Sequence, residues 1–235
     1  MKQEQLIQGN FYHIYNRGNN RCDLFHKAEN YEHFLGLYDK YISPVAETYA
    51  WVLMPNHFHV LVRIKEDVVY KYTNVDRSND AVKFEERKWE TIDLSACEAP
   101  DSVRKPVPHR HFAHLFNAYA RYFQQWSGRT GNLFERPFKR KSINNENYLK
   151  RVILYIHDNP VHHGFCAHPV EYPWSSYLAC ISIRPTKLKR EKVIGWFDDQ
   201  ANFKTAHNEK VETEKIERWL ELDEKRNNNE SARKQ

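Results

Sequence analysis

The chain has 235 residues, of which 40% are hydrophobic, 14% aromatic and 29% charged, so it holds enough apolar material for one medium-sized domain with an appendage and is not a wholly disordered polymer. Its 36 Lys and Arg exceed its 31 Asp and Glu by only five, an excess too small to name a partner. No apolar run approaches the roughly 18 residues of a bilayer span, and the opening MKQEQLIQGN lacks the apolar stretch of a secretory signal, so a cytoplasmic protein without a membrane partner is expected.

Residues 11 to 17, FYHIYNR, alternate with a period near two and predict a strand, which GNNR at 18 to 21 breaks. From about His26 to Tyr41, the apolar positions Tyr31, Phe34, Leu35, Leu37, Tyr38 and Tyr41 recur at helical spacing. A second strand is expected over 47 to 53 (ETYAWVL), a turn at MPN, and the strongest strand over His57 to Ile64 (HFHVLVRI). A polar interval from about 65 to 108, with Pro100, Pro106 and Pro108, reads as an insertion into the main fold. A second helix is predicted over 111 to 126 and ends at SGRTGN. LFERPFKRKSI, 133 to 143, reads as an irregular strand that Pro137 confines to an edge or a bulge.

Asn144 or Asn145 would cap a third helix, expected to run to about His157 and to stop before Asn159-Pro160. The stretch VHHGFCAHPVEYPWSSYLA reads as loop. Beyond 187 one amphipathic segment is expected near Ile216 to Leu222, and Glu224 to Gln235 are expected to be disordered. A division into a domain over 1–180 and a C-terminal extension over 181–235 follows. Cys22, Cys97, Cys166 and Cys180 form no CxxC pair and read as incidental thiols rather than a disulfide framework or a zinc site.

Charge is distributed unevenly along this chain. Residues 109 to 152 hold nine Lys and Arg (Arg110, Arg121, Arg129, Arg136, Lys139, Arg140, Lys141, Lys150, Arg151) against Glu135 and Glu146, a net of +7 that leaves −2 for the remainder. Eight aromatic side chains, from Phe112 to Phe138, are interleaved with them. The pattern suits a polyanion with stackable bases, and equally a solvated helix face beside core aromatics.

Two short segments hold groups able to do chemistry. In MPNHFHVLVRI, His57 and His59 occupy i and i+2 of a strand, so both imidazoles leave the same face while Phe58 turns to the other. That arrangement can hold a divalent cation, although most His-x-His pairs have no such role; His109-Arg110-His111, in a polar context, is the weaker pair. In YLKRVILYIHDNP, Tyr155 and Asn159 are four apart and share a helix face, with Tyr148 two turns upstream. A tyrosine on a basic helix is ordinarily a packing group or a phosphate hydrogen-bond donor.

Taken together, FYHIYNRGNNRCDLF, WVLMPNHFHVLV, GNLFERPFKRK and YLKRVILYIHDNPVHHGF followed by YPWSSY resemble the single-tyrosine HUH transposases, in particular the branch of REP-associated tyrosine transposases. The resemblance covers about residues 10 to 180, and Trp196, Phe197, Phe203 and His207 are similar in spacing to a motif of longer members. It implies an α+β fold: a ferredoxin-like or RRM-like antiparallel sheet with helices on one face, the histidine pair on a sheet strand and the nucleophilic tyrosine on a following helix. It makes His57 and His59 the metal-binding pair, Asn159 the polar third ligand and Tyr155 the nucleophile, with Tyr148 as the substitute. Tyr119 and Tyr122, on an aromatic face, are expected in the core.

The implied cofactor is Mg²⁺ or Mn²⁺, and the implied partner is single-stranded DNA beside a palindromic, REP-like hairpin, cut through a 5′-phosphotyrosine and a free 3′-OH. Family members act as monomers or homodimers, and both remain open. Phosphate contacts are expected from Arg121, Arg136, Lys139, Arg140, Lys141, Lys150 and Arg151. The loop Arg17, Asn19, Asn20, Arg21 would read bases, or would form a turn that needs Gly18. A non-enzymatic alternative is a hairpin-binding protein of the same fold without cleavage; an RNA-binding sheet ranks below both, since the strands lack the RNP1 consensus.

Overall fold

The computed structural model describes residues 4–66, 68, 70–71, 103–209, 211, 213 and 215–218. Cys97, the greater part of the expected insertion and the expected disordered tail lie outside these residues. Strands β1 (Phe11–Arg17), β2 (Ala46–Met54), β3 (His57–Ile64) and β6 (Lys139–Ile143) form one antiparallel sheet in the order β2-β3-β1-β6. With helices α1 (Ala28–Tyr41) and α2 (Pro108–Ser127) as its crossovers, this is the split βαββαβ arrangement of the ferredoxin-like fold. β4 (Tyr70–Lys71) and β5 (Val103–Arg104) pair separately.

β3 shows why the sheet is buried on both sides. Phe58, Val60, Val62 and Ile64 pack with Tyr12, Ile14, Phe34, Phe112 and Tyr119 under α1 and α2. The alternate position Leu61 joins Val52, Met54, Val152, Tyr155 and Phe203 on the opposite side. The expected helices on one face are therefore α1 and α2. The other face is covered by α3 (Glu146–His162) and by short helices α4 (Tyr177–Ile181), α5 (Arg190–Trp196) and α6 (Gln200–Asn208). Among the described residues no helix is long and apolar enough to cross a membrane.

Local chemistry sets the boundaries. Asn30 accepts from the backbone N–H groups of His26 and Lys27 at 3.0 and 3.2 Å and fixes the entry to α1. Gly128 ends α2 in the left-handed conformation at φ 67°. Asn145, not Asn144, caps α3, accepting from the Asn147 N–H at 2.8 Å. Gly18 is required for a different reason: a Cβ there would meet the Cys22 carbonyl oxygen at 1.9 Å.

Three expectations need correction. The third helix does not stop before Asn159-Pro160; it continues through Pro160 to His162. Proline at this point removes one N–H, and the final turn is retained through the His163 N–H to Asn159 carbonyl bond of 3.0 Å. The strand expected over 133 to 143 shrinks to Lys139–Ile143, with an isolated bridge between Gly18 and Phe134. The stretch read as loop after His162 contains α4, and α5 and α6 follow it; Val193, Phe197 and Phe203 reach the same core as Tyr155.

Candidate active site

The site forms where the start of β3 meets the C-terminal half of α3. In the register of β1 against β3, Arg17 opposes His57 and Tyr15 opposes His59. Phe11, His13, Tyr15 and Arg17 therefore share the face of the two histidines. Because α3 continues through Pro160, Asn159 stays helical, one turn beyond Tyr155 on the same side. His57 Nε2 lies 3.0 Å from Asn159 Oδ1, a contact across 102 residues of sequence. The rings of His57 and His59 are 5.2 Å apart between centroids and nearly perpendicular, and the Tyr155 ring stands 5.3 Å from that of His59. Thus His57, His59, Tyr155 and Asn159 are brought together.

The protonation pattern points to what could bind. His57 Nδ1 is 2.6 Å from Asn56 Oδ1, an acceptor, so Nδ1 carries the proton and donates it. Burial holds the His57 pKa down to about 4, opposed by Asn159 and assisted by the nearby His163 and Arg17, so the ring is neutral near pH 7 and its Nε2 holds a lone pair. That lone pair faces the Asn159 carbonyl oxygen. Two acceptors at 3.0 Å are held together by a shared cation, or are relieved by turning the amide to present its NH₂. A neutral imidazole pair with an amide oxygen is a donor set that suits a divalent ion, so the residues fit the implied metal. No group of three or more His, Cys, Asp or Glu among the described residues forms an alternative cage.

Burial lowers the His59 pKa well below its ordinary value, with further contributions from His13, His57, His163 and Arg17. His13 is pushed down to about 3 by burial alone. Tyr155 moves the other way: burial, and then the negative charge of Glu217, raise its phenol above the ordinary value, against a hydrogen bond from the Asn159 side chain. Its residue is 4% exposed. A phenol in such surroundings stays protonated at neutral pH and needs a positive charge close by before it can act as a nucleophile.

The remaining sequence candidates fall in different places. Arg17 ends β1 opposite His57, and Asn19, Asn20 and Arg21 follow in a single 3-10 turn, with Asn20 and Arg21 at positive φ of 55° and 59°. Lys139 and Lys141 oppose Tyr15 and His13, on the histidine face. Arg140 opposes Ile14 on the other face, where its guanidinium lies 4.7 Å from the Phe138 ring and its Nε and Nη1 are buried without hydrogen-bond partners among the described residues.

Arg121 is exposed on α2, across the sheet from His57 and His59, and Arg136 borders a cavity of about 440 Å³ between α2 and the segment 133–138. Lys150 pairs with Glu146 at 3.9 Å, and Arg151 lies 5.8 Å from the ring of Tyr148, both in the first half of α3 and about 6 to 8 Å along the axis from Tyr155. In the His109-Arg110-His111 segment, His111 is instead engaged with the Tyr41 carbonyl at 2.8 Å and the pair lies on a helix, where i and i+2 diverge. Tyr119 is fully buried and donates to the Leu24 carbonyl, as expected of a core residue.

Two site residues escape sequence reasoning. His13 Nε2 is 3.0 Å from His59 Nδ1; the alternation of FYHIYNR already placed His13 on one face with Tyr15, but nothing local tied that face to His59. His163, just past α3, has its ring 5.3 Å from His57.

No protein-family model matches this chain, and a search of curated proteins finds no relative. Among solved structures, the chain is similar to a REP-associated tyrosine transposase bound to a REP hairpin. The TM-score is 0.51 at 17% identity, over 79% of this chain and 88% of that one. The two share the α+β fold with a four-stranded antiparallel sheet.

Proposed function

We propose that this protein is a metal-dependent endonuclease and strand transferase for single-stranded DNA, of the tyrosine transposase type, acting beside a palindromic hairpin. The observation that supports it is the meeting of His57, His59, Asn159 and Tyr155 from two elements about a hundred residues apart. The hairpin is carried over from the similar structure, which binds one. His57 Nε2, His59 and Asn159 Oδ1 would hold Mg²⁺ or Mn²⁺, which supplies positive charge against the scissile phosphate and the departing oxygen.

Tyr155 Oη gives up its proton and forms a bond to phosphorus, while the bond from phosphorus to the 3′ oxygen breaks and that oxygen takes up a proton. The products are a 5′-phosphotyrosine and a free 3′-OH. Because the phosphodiester energy stays in the covalent link, a second 3′-OH can reverse the step and join strands. Asn159, one helical turn from Tyr155 and 3.0 Å from His57, would fix the phenol relative to the ligand set.

A second reading, hairpin binding without cleavage, is favoured by the 4% exposure of Tyr155 and its raised pKa. A labelled hairpin oligonucleotide with a single-stranded flank, incubated with Mn²⁺ or Mg²⁺, separates the two. The cleavage reading requires a covalent protein–DNA adduct that disappears in Tyr155→Phe and with EDTA. Tight binding with no adduct from any flank or metal selects the second reading, and an undiminished adduct in Tyr155→Phe removes Tyr155 as nucleophile.

A further inference from the structure

We infer that His13 is a positioning residue for His59: it accepts a hydrogen bond from His59 Nδ1 and thereby holds that imidazole with its Nε2 lone pair available to a divalent cation. The inference rests on the metal-dependent reading above and assigns a role to a side chain outside the ligand set. His13 and His59 are both buried, His13 Nε2 is 3.0 Å from His59 Nδ1, and the two ring planes are 17° apart. These values describe two imidazoles joined edge to edge by one proton. The Tyr15 ring, 5.0 Å from that of His13 and 25° off parallel, and the Tyr155 ring, nearly perpendicular at 6.0 Å, keep the His13 plane in place.

Which ring owns the shared proton decides what His59 can do. If His13 donates, His59 keeps its own proton on Nε2 and has no lone pair left for a ligand. If His59 donates, Nε2 is free. The neighbouring histidine shows the same device with its direction dictated: His57 Nδ1 meets Asn56 Oδ1 at 2.6 Å, an oxygen that only accepts. Each imidazole of the pair therefore has an outer acceptor on its Nδ1, an amide oxygen for one and the His13 ring for the other. Such outer partners fix tautomer and ring orientation in metal sites.

The arrangement leaves His13 Nδ1 as the proton carrier, and this atom is buried with no hydrogen-bond partner among the described residues. An apolar residue of similar size would avoid that cost, so stability alone does not account for a histidine at this position.

The test compares the full-length protein with His13→Leu, which removes the acceptor, and His13→Gln, whose side-chain oxygen can stand where Nε2 stood. Mn²⁺ affinity is measured by electron paramagnetic resonance without DNA, and hairpin binding is measured in EDTA. His13→Leu is expected to bind Mn²⁺ about 10- to 100-fold more weakly with hairpin affinity in EDTA unchanged, and His13→Gln to recover most of the loss. Long-range proton–nitrogen NMR of the metal-free wild type is expected to show His59 protonated on Nδ1. A wild-type His59 protonated on Nε2, or Mn²⁺ affinity unchanged in His13→Leu, overturns the inference alone. His13→Gln as weak as His13→Leu also overturns it, since the histidine nitrogen itself would then be needed. A wild type that binds no Mn²⁺ at all overturns the metal-dependent reading beneath it.

Discussion

At His57 the proton inventory is nearly complete: Nδ1 donates to Asn56 and Nε2 faces Asn159 across 3.0 Å. Removing this ring should strike chemistry more than recognition, because the basic groups expected to meet phosphate lie elsewhere. His57→Ala is expected to lower adduct formation by about a hundredfold or more, while hairpin affinity in EDTA shifts by no more than about threefold. Gel assays of adduct and of binding on the same folded preparation check this, and equal losses in both would contradict it.

The same burial that keeps these rings neutral makes the protein sensitive to acid. His13, His57 and His207 have pKa values lowered to about 3, 4 and 4, and those of His59 and His157 are lowered as well. Their ordinary value is 6.5, so on acidification the unfolded chain binds protons first. The neutral rings' contribution to stability is complete above about pH 6.5, declines as pH falls, and is exhausted once the folded values are passed. Each ring lowered to about 3 or 4 contributes on the order of 3 to 5 kcal/mol. Urea midpoints should thus be level from pH 8 to 7 and drop steeply between pH 6 and 4.5; a level profile down to 4.5 would refute it.

At the scale of elements, α3 is held to its neighbours by a chain of hydrogen bonds whose direction can be worked out. Phe203 O can only accept, so His207 Nδ1 carries a proton to it at 2.7 Å. His207 Nε2 then accepts from His157 Nδ1 at 2.9 Å, and His157 Nε2 accepts from Ser176 Oγ at 2.7 Å. Ser176 Oγ in turn accepts the Trp51 N–H at 2.9 Å. Every buried group in this series is satisfied, and it ties β2, the start of α4, α3 and α6 into one unit.

Ser176→Ala leaves the Trp51 N–H and His157 Nε2 without their partner, at about 1 to 3 kcal/mol each. Unfolding stability is expected to fall by roughly 2 to 4 kcal/mol, while adduct formation well below the melting range stays within about twofold. A change under 0.5 kcal/mol would show that water replaces the hydroxyl.

These elements also show what a sequence can disclose. β1 and β3 were legible to the residue because a period near two, bounded by turn residues, announces a strand; the cover on both faces of the sheet was not. That His57 and His59 leave one face was legible from their spacing, whereas only the family resemblance brought Tyr155 to them. The continuation of α3 past Asn159 was not legible, since the local preference before a proline is broken only by burial of Ile156, Asn159 and Pro160 against the sheet. Helices α4, α5 and α6 have 5, 7 and 9 residues, too few for a helical period to stand out; Val193 and Phe203 are helical because they fill one core with α3.

For the whole molecule, the sheet acts as a partition through the basic stretch. The +7 of residues 109 to 152 is not one continuous track. Lys139 and Lys141 lie on the face of His13 and Tyr15, whereas Arg140 turns to the α2 face and Arg121 stands on the outer surface of α2. A strand whose phosphate reaches Tyr155 must approach from the first face, so charge on that face should dominate binding. Lys139→Ala combined with Lys141→Ala is expected to weaken hairpin-flank binding and to lower the slope of log K against log salt by about 1.4, the release of counterions from two single-strand contacts. Arg121→Ala should leave that slope within about 0.3 and adduct yield unchanged. Fluorescence titrations from 50 to 300 mM salt decide between them: a slope reduced as much by Arg121→Ala as by the lysine pair would mean that DNA wraps the edge of the sheet to meet both faces, and the partition would not describe how the strand is held.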